Sequence, residues 1–133
     1  MLKSLEKKIL ITLAYSLQFN QALYVRELYL RLLGARRVTK FEFAAALVNL
    51  VKSGYVSRRE NLWFIPSLQT QTEQKKLVQL RAARAEQYIQ KITETHLVSS
   101  FVFLVLGVRA LVITGSVAVK NSDRDDDIDY MVI

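Results

Sequence analysis

Apolar residues recur every three or four positions over residues 5–17, a spacing that predicts an amphipathic helix. The same pattern predicts a second, shorter helix over residues 25–33, which ends at Gly34. A third helix is predicted to begin after an N-cap at Thr39 and to end at Ser53-Gly54. The first part of the chain is therefore expected to be a bundle of three short helices.

Two short segments with strand-favouring residues follow the third helix, Tyr55–Arg58 and Leu62–Ile65, and Pro66 closes the second segment. They predict the two strands of a hairpin that is joined by the residues between them. Three helices followed by a hairpin is the order of a winged helix-turn-helix domain. The run LVKSGYV over residues 50–56 resembles the passage from third helix to wing in that family. Residues 1–66 are thus expected to form a winged helix-turn-helix domain.

The next segment, residues 67–106, is polar and rich in helix-favouring residues, and it predicts a long connecting helix. After Gly107, the apolar residues Val108–Ile113 predict a buried strand. Residues 97–113 also raise the alternative of a membrane span. However, the uninterrupted apolar run within them is much shorter than the roughly 20 residues that a bilayer requires, and Arg109 would lie in its interior.

A Gly-Ser turn and two alternating carboxylates close the chain. Gly115 and Ser116 follow the predicted strand, and Asp127 and Asp129 precede the apolar residues 130–133. Side chains at i and i+2 of a strand share one face and lie about 6–7 Å apart, so two acids in that arrangement favour a bound cation. Free N–H groups in a small-residue turn suit a phosphate. This combination predicts a divalent metal ion and a nucleotide polyphosphate on one sheet edge.

The same residues resemble the Gly-Ser…Asp-x-Asp signature of the polymerase-beta-like nucleotidyltransferases, over about residues 107–133. The resemblance implies that Asp127 and Asp129 hold two Mg²⁺ ions and that Gly115 and Ser116 contact the β and γ phosphates of a nucleoside triphosphate. It implies transfer of a nucleoside monophosphate to an acceptor, with release of pyrophosphate. Residues 107–133 would supply the first two strands of that α/β domain, so the expected fold class is α+β.

Other readings of these acids stay open. Asp123, Asp125 and Asp126 are expected to lie in a solvated turn. The alternate acids from Asp123 onward also resemble a calcium loop, although Ile128 occupies the position that requires glycine. The third catalytic carboxylate of the nucleotidyltransferases lies on a later strand. The expectation is therefore that the chain is a fragment or that a partner completes the site.

Charge separates the two halves of the chain. Residues 1–66 contain eleven Lys and Arg against four Glu, whereas residues 67–133 contain eight basic and eight acidic residues. A basic winged helix suggests nucleic-acid binding. The candidate residues are Arg36, Arg37, Lys40, Lys52, Arg58 and Arg59, with Asn49 beside them. The alternative is a protein-contact module. For the chain as a whole, the alternative to an enzyme is a winged-helix nucleic-acid-binding or regulatory protein with a non-catalytic nucleotide-binding remnant.

The cysteine and histidine content of the chain excludes several kinds of site. The chain has no cysteine, which excludes disulfides and thiolate ligands and fits a reducing cytoplasm. Its N-terminus has no apolar core of a signal peptide. His96 is the sole histidine, so the chain alone cannot form a histidine-based metal site or triad.

Overall fold

The computed structural model describes residues 2–34, 38–105 and 107–133. The protein is a mixed α+β chain with one long helix and two small antiparallel sheets, which confirms the predicted class. It divides into two compact units, Met1–Gln79 and Leu80–Ile133, which are described separately below as the N-terminal and C-terminal units.

Three helices open the N-terminal unit: α1 (Ser4–Leu17), α2 (Val25–Leu30) and α3 (Lys40–Lys52). All three were predicted from the apolar pattern, although α2 ends three residues before the predicted limit. The third residue of each helix is a glutamate. Its carboxylate accepts a hydrogen bond from the backbone N–H of the residue before the helix, which has no partner within the helix. These glutamates are Glu6, Glu27 and Glu42.

A three-stranded antiparallel sheet of order β1-β3-β2 accompanies these helices. It consists of β1 (Leu23–Tyr24), β2 (Ser57–Arg59) and β3 (Leu62–Phe64). The hairpin was predicted, but β2 is shifted by one to two residues, because Glu60 and Asn61 take positive φ angles of 48° and 68° and form a two-residue turn. The strand β1 was not predicted, since two residues carry no alternation.

The core of the N-terminal unit lies where the helices meet the sheet. Its apolar side chains pack in a main cluster that extends from the helices to the sheet and in a smaller one around Phe64. The buried members include Ile9, Leu13, Leu28, Leu47 and Trp63. Trp63 and Phe64 are buried on β3, so packing rather than base stacking accounts for these two aromatic residues.

The helix α4 (Gln71–Val102) has 32 residues and occupies most of the segment that was predicted as a helical connector. A capping box begins it: the Thr70 N–H donates to Glu73 at 2.7 Å, and the Glu73 N–H donates back to the Thr70 hydroxyl at 3.3 Å. The division between the two units falls within this helix. In the described part of the chain, no helix is both long and apolar enough to cross a bilayer.

The C-terminal unit continues α4 and adds β4 (Leu111–Ile113), α5 (Gly115–Ala118) and β5 (Tyr130–Val132). The strands pair antiparallel, with Ile113 opposite Tyr130. The predicted strand over residues 108–113 is longer than β4, although the Arg109 and Ala110 N–H groups still donate to Ile133 O. The prediction that this strand is buried is wrong, since Val112 is exposed and its neighbours are half-buried.

Candidate functional site

The Gly-Ser turn lies directly opposite the second acid of the motif. The Thr114 N–H donates to Asp129 O at 2.9 Å and extends the pairing of β4 with β5 by one step. At the next residue, Gly115, the chain takes a φ of +64° and enters α5. The end of one strand and the approach to the other therefore form one edge of the small sheet.

The Asp129 carboxylate lies against the Cα atom of Gly115. A Cβ atom built on Gly115 would overlap Asp129 Oδ2 and come within 3.0 Å of Asp129 Cγ. Glycine is required at position 115 for two reasons. The left-handed φ disfavours other residues, and the Asp129 carboxylate leaves no room for a side chain. Two of the four site residues predicted from the sequence, Gly115 and Asp129, are thus brought together.

The other two predicted residues, Ser116 and Asp127, lie on either side of this contact. Ser116 is half-buried, and its carbonyl oxygen accepts the Asn121 N–H at 2.9 Å. Asp127 is exposed and lines an open cleft of about 340 Å³. Lys91 and Glu94 of α4 line the same cleft. Within the described residues, neither Asp127 nor Asp129 forms a salt bridge, so both carboxylates are available to a ligand.

The expectation that Asp127 and Asp129 lie inside a strand is wrong. The strand β5 begins at Tyr130, one residue after Asp129. Asp129 still takes part in the pairing through its carbonyl oxygen, whereas Asp127 belongs to the preceding loop. That both side chains share one face, as strand alternation would require, remains a prediction.

One face of α4 holds the loop that leads to these acids. The face carries polar residues at i, i+3, i+7, i+10 and i+14, all of which contact residues 120–130. Its members are Arg81, Arg84, Tyr88, Lys91 and Thr95. We call this set the polar stripe. The helix-favouring composition predicted the helix itself but assigned no role to Arg81, Lys91 or Thr95, because apolar spacing does not register polar residues. The same helical spacing of polar residues was the available signal.

The strongest contact of the polar stripe joins Arg84 to Asp123. Arg84 Nε donates to Asp123 Oδ1 at 2.8 Å, and its Nη2 donates to Oδ2 at 2.9 Å, in a bidentate pair. These hydrogen bonds from Arg84 hold the pKa of Asp123 below its usual range, although partial burial acts in the opposite direction. Asp123 is exposed in a loop, as expected of a solvated turn residue, but its carboxylate also pairs with Arg84.

Two further hydrogen bonds join α4 to the loop that contains Asp123. Arg81 Nη1 donates to Lys120 O at 2.6 Å, and Lys91 Nζ donates to Asp126 O. Arg81, Arg84 and Lys91 are all buried. Buried cationic groups require partners, and the backbone and side-chain oxygens of this loop provide them. The loop that carries Asp127 is consequently held at three points.

The donor set fits a metal ion that uses few protein ligands. No group of three or more His, Cys, Asp or Glu side chains suited to a metal ion occurs among the described residues. A calcium loop, which needs more carboxylates, therefore has no support from this arrangement. Mg²⁺ commonly binds through one or two carboxylates and takes its other ligands from water and phosphate. Asp127 and Asp129 could supply that number.

The described residues that were predicted to contact nucleic acid lie at the two ends of α3 and on β2. Lys40, Lys52 and Arg58 are exposed and Arg59 is half-buried, whereas Arg36 and Arg37 lie outside the described residues. Lys52 lines a cleft of about 610 Å³ that also contains the buried carboxylate of Glu6. A carboxylate at this position opposes the binding of phosphate beside Lys52.

Comparisons with known proteins found no match, whether with family models, with curated proteins or with solved structures.

Proposed function

We propose that the C-terminal unit is the nucleotide-binding part of a Mg²⁺-dependent nucleotidyltransferase. The observation that carries this proposal is the contact between Gly115 and Asp129, which puts a glycine turn and a free carboxylate on one sheet edge. Because Gly115 has no side chain, the Asp129 carboxylate lies against the turn, and a metal ion held by this acid would be placed where it could accompany a phosphate.

Each residue has a distinct part in this proposal. Gly115 leaves space for the Asp129 carboxylate to lie against the turn, and Ser116 adds a hydroxyl donor next to it. Asp127 and Asp129 hold Mg²⁺, and the polar stripe orients the loop that carries Asp127. When bound, Mg²⁺ neutralises the phosphate charge that develops as the nucleoside monophosphate passes to its acceptor.

Calorimetry with ATP, GTP, CTP and UTP, each with and without Mg²⁺, tests the proposal. We expect binding that requires Mg²⁺ and that weakens at least about tenfold when Asp127→Asn and Asp129→Asn are combined, since a metal ligand group is then lost. The control is Glu86→Gln, which removes an exposed acid of α4 that does not line the cleft of Asp127. Absence of binding by the wild-type chain, or equal binding by both variants, would contradict the proposal.

The N-terminal unit is proposed to be a winged helix. Three helices and a small antiparallel sheet occur in the order typical of that fold, and the β2–β3 hairpin occupies the place of the wing. Its role could be nucleic-acid binding or protein contact. The outward face of α3 favours protein contact, because Phe41, Ala45 and Val48 are exposed where a DNA-reading helix carries polar side chains.

A gel-shift series over salt concentration discriminates between these roles. A nucleic-acid module would bind tightly at low salt and lose affinity steeply as salt rises, because phosphate contacts release counterions. Since α3 presents apolar side chains, we expect no more than weak binding without sequence preference. A tight, sequence-dependent complex that Arg58→Gln weakens would establish nucleic-acid binding instead.

A further inference from the structure

An open apolar groove lies between α2 and α3 in the N-terminal unit. Its volume is about 490 Å³. Both helices contribute to its walls, with apolar side chains inside and cations among the lining residues. The lining consists of Val25, Arg26, Tyr29, Leu30, Lys40, Phe43 and Ala44.

Fixed aromatic side chains line part of the groove. The rings of Tyr29 and Phe43 meet edge to face, with centroids 5.2 Å apart and planes inclined at 69°. The Tyr29 hydroxyl donates to Val38 O at 2.7 Å, which fixes the orientation of its ring. A surface held in this way is ordered before a partner arrives, so binding costs less conformational entropy.

Large apolar side chains are exposed at the groove and next to it in sequence. Leu30 lines the groove and is 70% exposed, and Phe41, which follows the lining residue Lys40 on α3, is 83% exposed. Exposed apolar side chains grouped on neighbouring helices mark an interaction site when they form one patch, because their contact with water is unfavourable. Phosphate groups would not cover Leu30 and Phe41, so a protein segment suits the groove better than a nucleic acid.

Unpaired cations specify the charge of that segment. Within the described residues, Arg26 and Lys40 have neither a salt bridge nor a side-chain hydrogen bond. Among the described residues, Glu27 and Glu42 accept the N-cap N–H groups and form no salt bridge with these cations. The surrounding basic excess, eleven cationic against four acidic residues over 1–66, disfavours a second copy of the same face and favours an acidic partner.

We propose that the groove between α2 and α3 binds an amphipathic helix of a partner protein, with apolar anchors at i, i+3 and i+7 and carboxylates on either side of them. The apolar anchors enter between Leu30 and Phe41. The carboxylates pair with Arg26 and Lys40. In helix-in-groove recognition, the apolar anchors provide most of the affinity and the charged residues provide the specificity. The inference does not depend on the nucleotidyltransferase proposal.

Fluorescence anisotropy of the full chain with three labelled peptides of about 15 residues tests this inference. The first peptide has leucines at helical spacing flanked by glutamates, the second has lysines in place of those glutamates, and the third is a scrambled version of the first. We expect the first to bind and the other two to bind at least about tenfold more weakly, since one loses the charge pairs and the other the apolar face.

Substitutions locate the binding surface. Phe41→Ser should weaken binding of the first peptide about tenfold to thirtyfold, as loss of a central apolar contact does. Arg26→Gln with Lys40→Gln should weaken it less and should remove most of its salt dependence. The matched control is Ile11→Ser, which changes an exposed apolar residue of α1 outside the groove and should leave the affinity unchanged.

Several outcomes would overturn the inference. Equal binding of all three peptides, or of none, removes the charged helix as the occupant. Equal effects of Phe41→Ser and Ile11→Ser place the contact outside the groove. Sedimentation that reveals a dimer, abolished by Phe41→Ser, makes a second copy the occupant. Displacement of the first peptide by duplex DNA makes the surface a nucleic-acid site.

Discussion

The two units of the chain bury opposite kinds of side chain. In the N-terminal unit, Ile9, Leu28 and Phe64 are completely buried in an apolar interior. In the C-terminal unit, Val117 is the sole buried apolar residue among those described, whereas Arg81, Arg84 and Lys91 are buried. Large apolar side chains such as Phe101 and Leu104 are exposed there.

The two kinds of burial have different consequences: apolar burial stabilises a folded unit, whereas buried hydrogen-bonded cations fix the position of a loop. Apolar burial is strong but non-directional, so it holds a body together without prescribing the position of any one atom. Hydrogen bonds from buried cations have preferred distances and angles, so they fix where a loop lies. The N-terminal unit therefore has the character of a stable body, and the C-terminal unit has that of a loop held in a set position.

The largest effect is expected from the apolar interior. Phe64→Ala should lower the free energy of unfolding of the N-terminal unit by about 3–5 kcal/mol, because it removes a fully buried ring and leaves a cavity. Urea denaturation followed by fluorescence of Trp63, the sole tryptophan, reports on this unit. In the control, Phe41→Ala, the ring is already exposed, so the change should stay below about 0.5 kcal/mol. Equal losses for both variants would contradict the assigned core.

An intermediate effect is expected at the glycine turn. Gly115→Ala should destabilise its strand pairing by about 2–4 kcal/mol, because the left-handed φ is strained and the Asp129 carboxylate must move. Hydrogen exchange of the Thr114 N–H, which is bonded to Asp129 O, measures this.

The matched control for the glycine turn is Gly54→Ala. Gly54 has a similar φ of +70°, but no atom lies within 4 Å of a built Cβ. Gly54→Ala should therefore destabilise the turn only by the conformational strain, about 1–2 kcal/mol. Hydrogen exchange of the Tyr55 N–H, which donates to Leu50 O, measures this loss. If both substitutions cost the same, the close approach of Gly115 to Asp129 does not exist.

The smallest effect is expected from the Arg84–Asp123 pair. The pKa of Asp123 is lower in the folded chain than in the unfolded one, so the pair stabilises the loop fully above about pH 4 and loses this contribution as pH falls through the lowered value. Because the Asp123 side chain is 54% exposed, solvent screening limits the contribution to about 1 kcal/mol or less.

Exchange of the Asn121 N–H, which is bonded to Ser116 O, follows this loop between about pH 5 and pH 2. Once the intrinsic pH dependence of exchange is removed, protection should fall on acidification in the wild type. It should change much less in Asp123→Asn, which has no titrating group at that position. Asp125→Asn should retain the wild-type slope. An equal slope in all three would show that the pair is not responsible.

Local signals were sufficient for much of the fold. The N-cap at Thr39 and the glycine at position 54 delimited α3 to within one or two residues, because capping chemistry depends on neighbours in sequence. The Gly-Ser turn and the alternating acids predicted one common sheet edge, and two of the four predicted site residues, Gly115 and Asp129, do meet there.

Contacts over long sequence distances were not predictable in this way. Arg84 and Asp123 are 39 positions apart, and nothing near either residue indicates the other. The strand β1 depends on its pairing with β3, some 40 residues later, and has no pattern of its own. The residues predicted to bind nucleic acid were identified by their charge. Charge does not indicate that apolar side chains of α3 are exposed in the same unit.

The three contacts between α4 and the loop also constrain the length of that loop. The attachment points at Lys120, Asp123 and Asp126 are evenly spaced, three residues apart, and each matches a fixed position on the helix. Inserting or deleting one residue between Ser116 and Asp127 would put all later points out of register with the polar stripe. Substitutions in this segment should consequently be tolerated far better than changes in its number of residues.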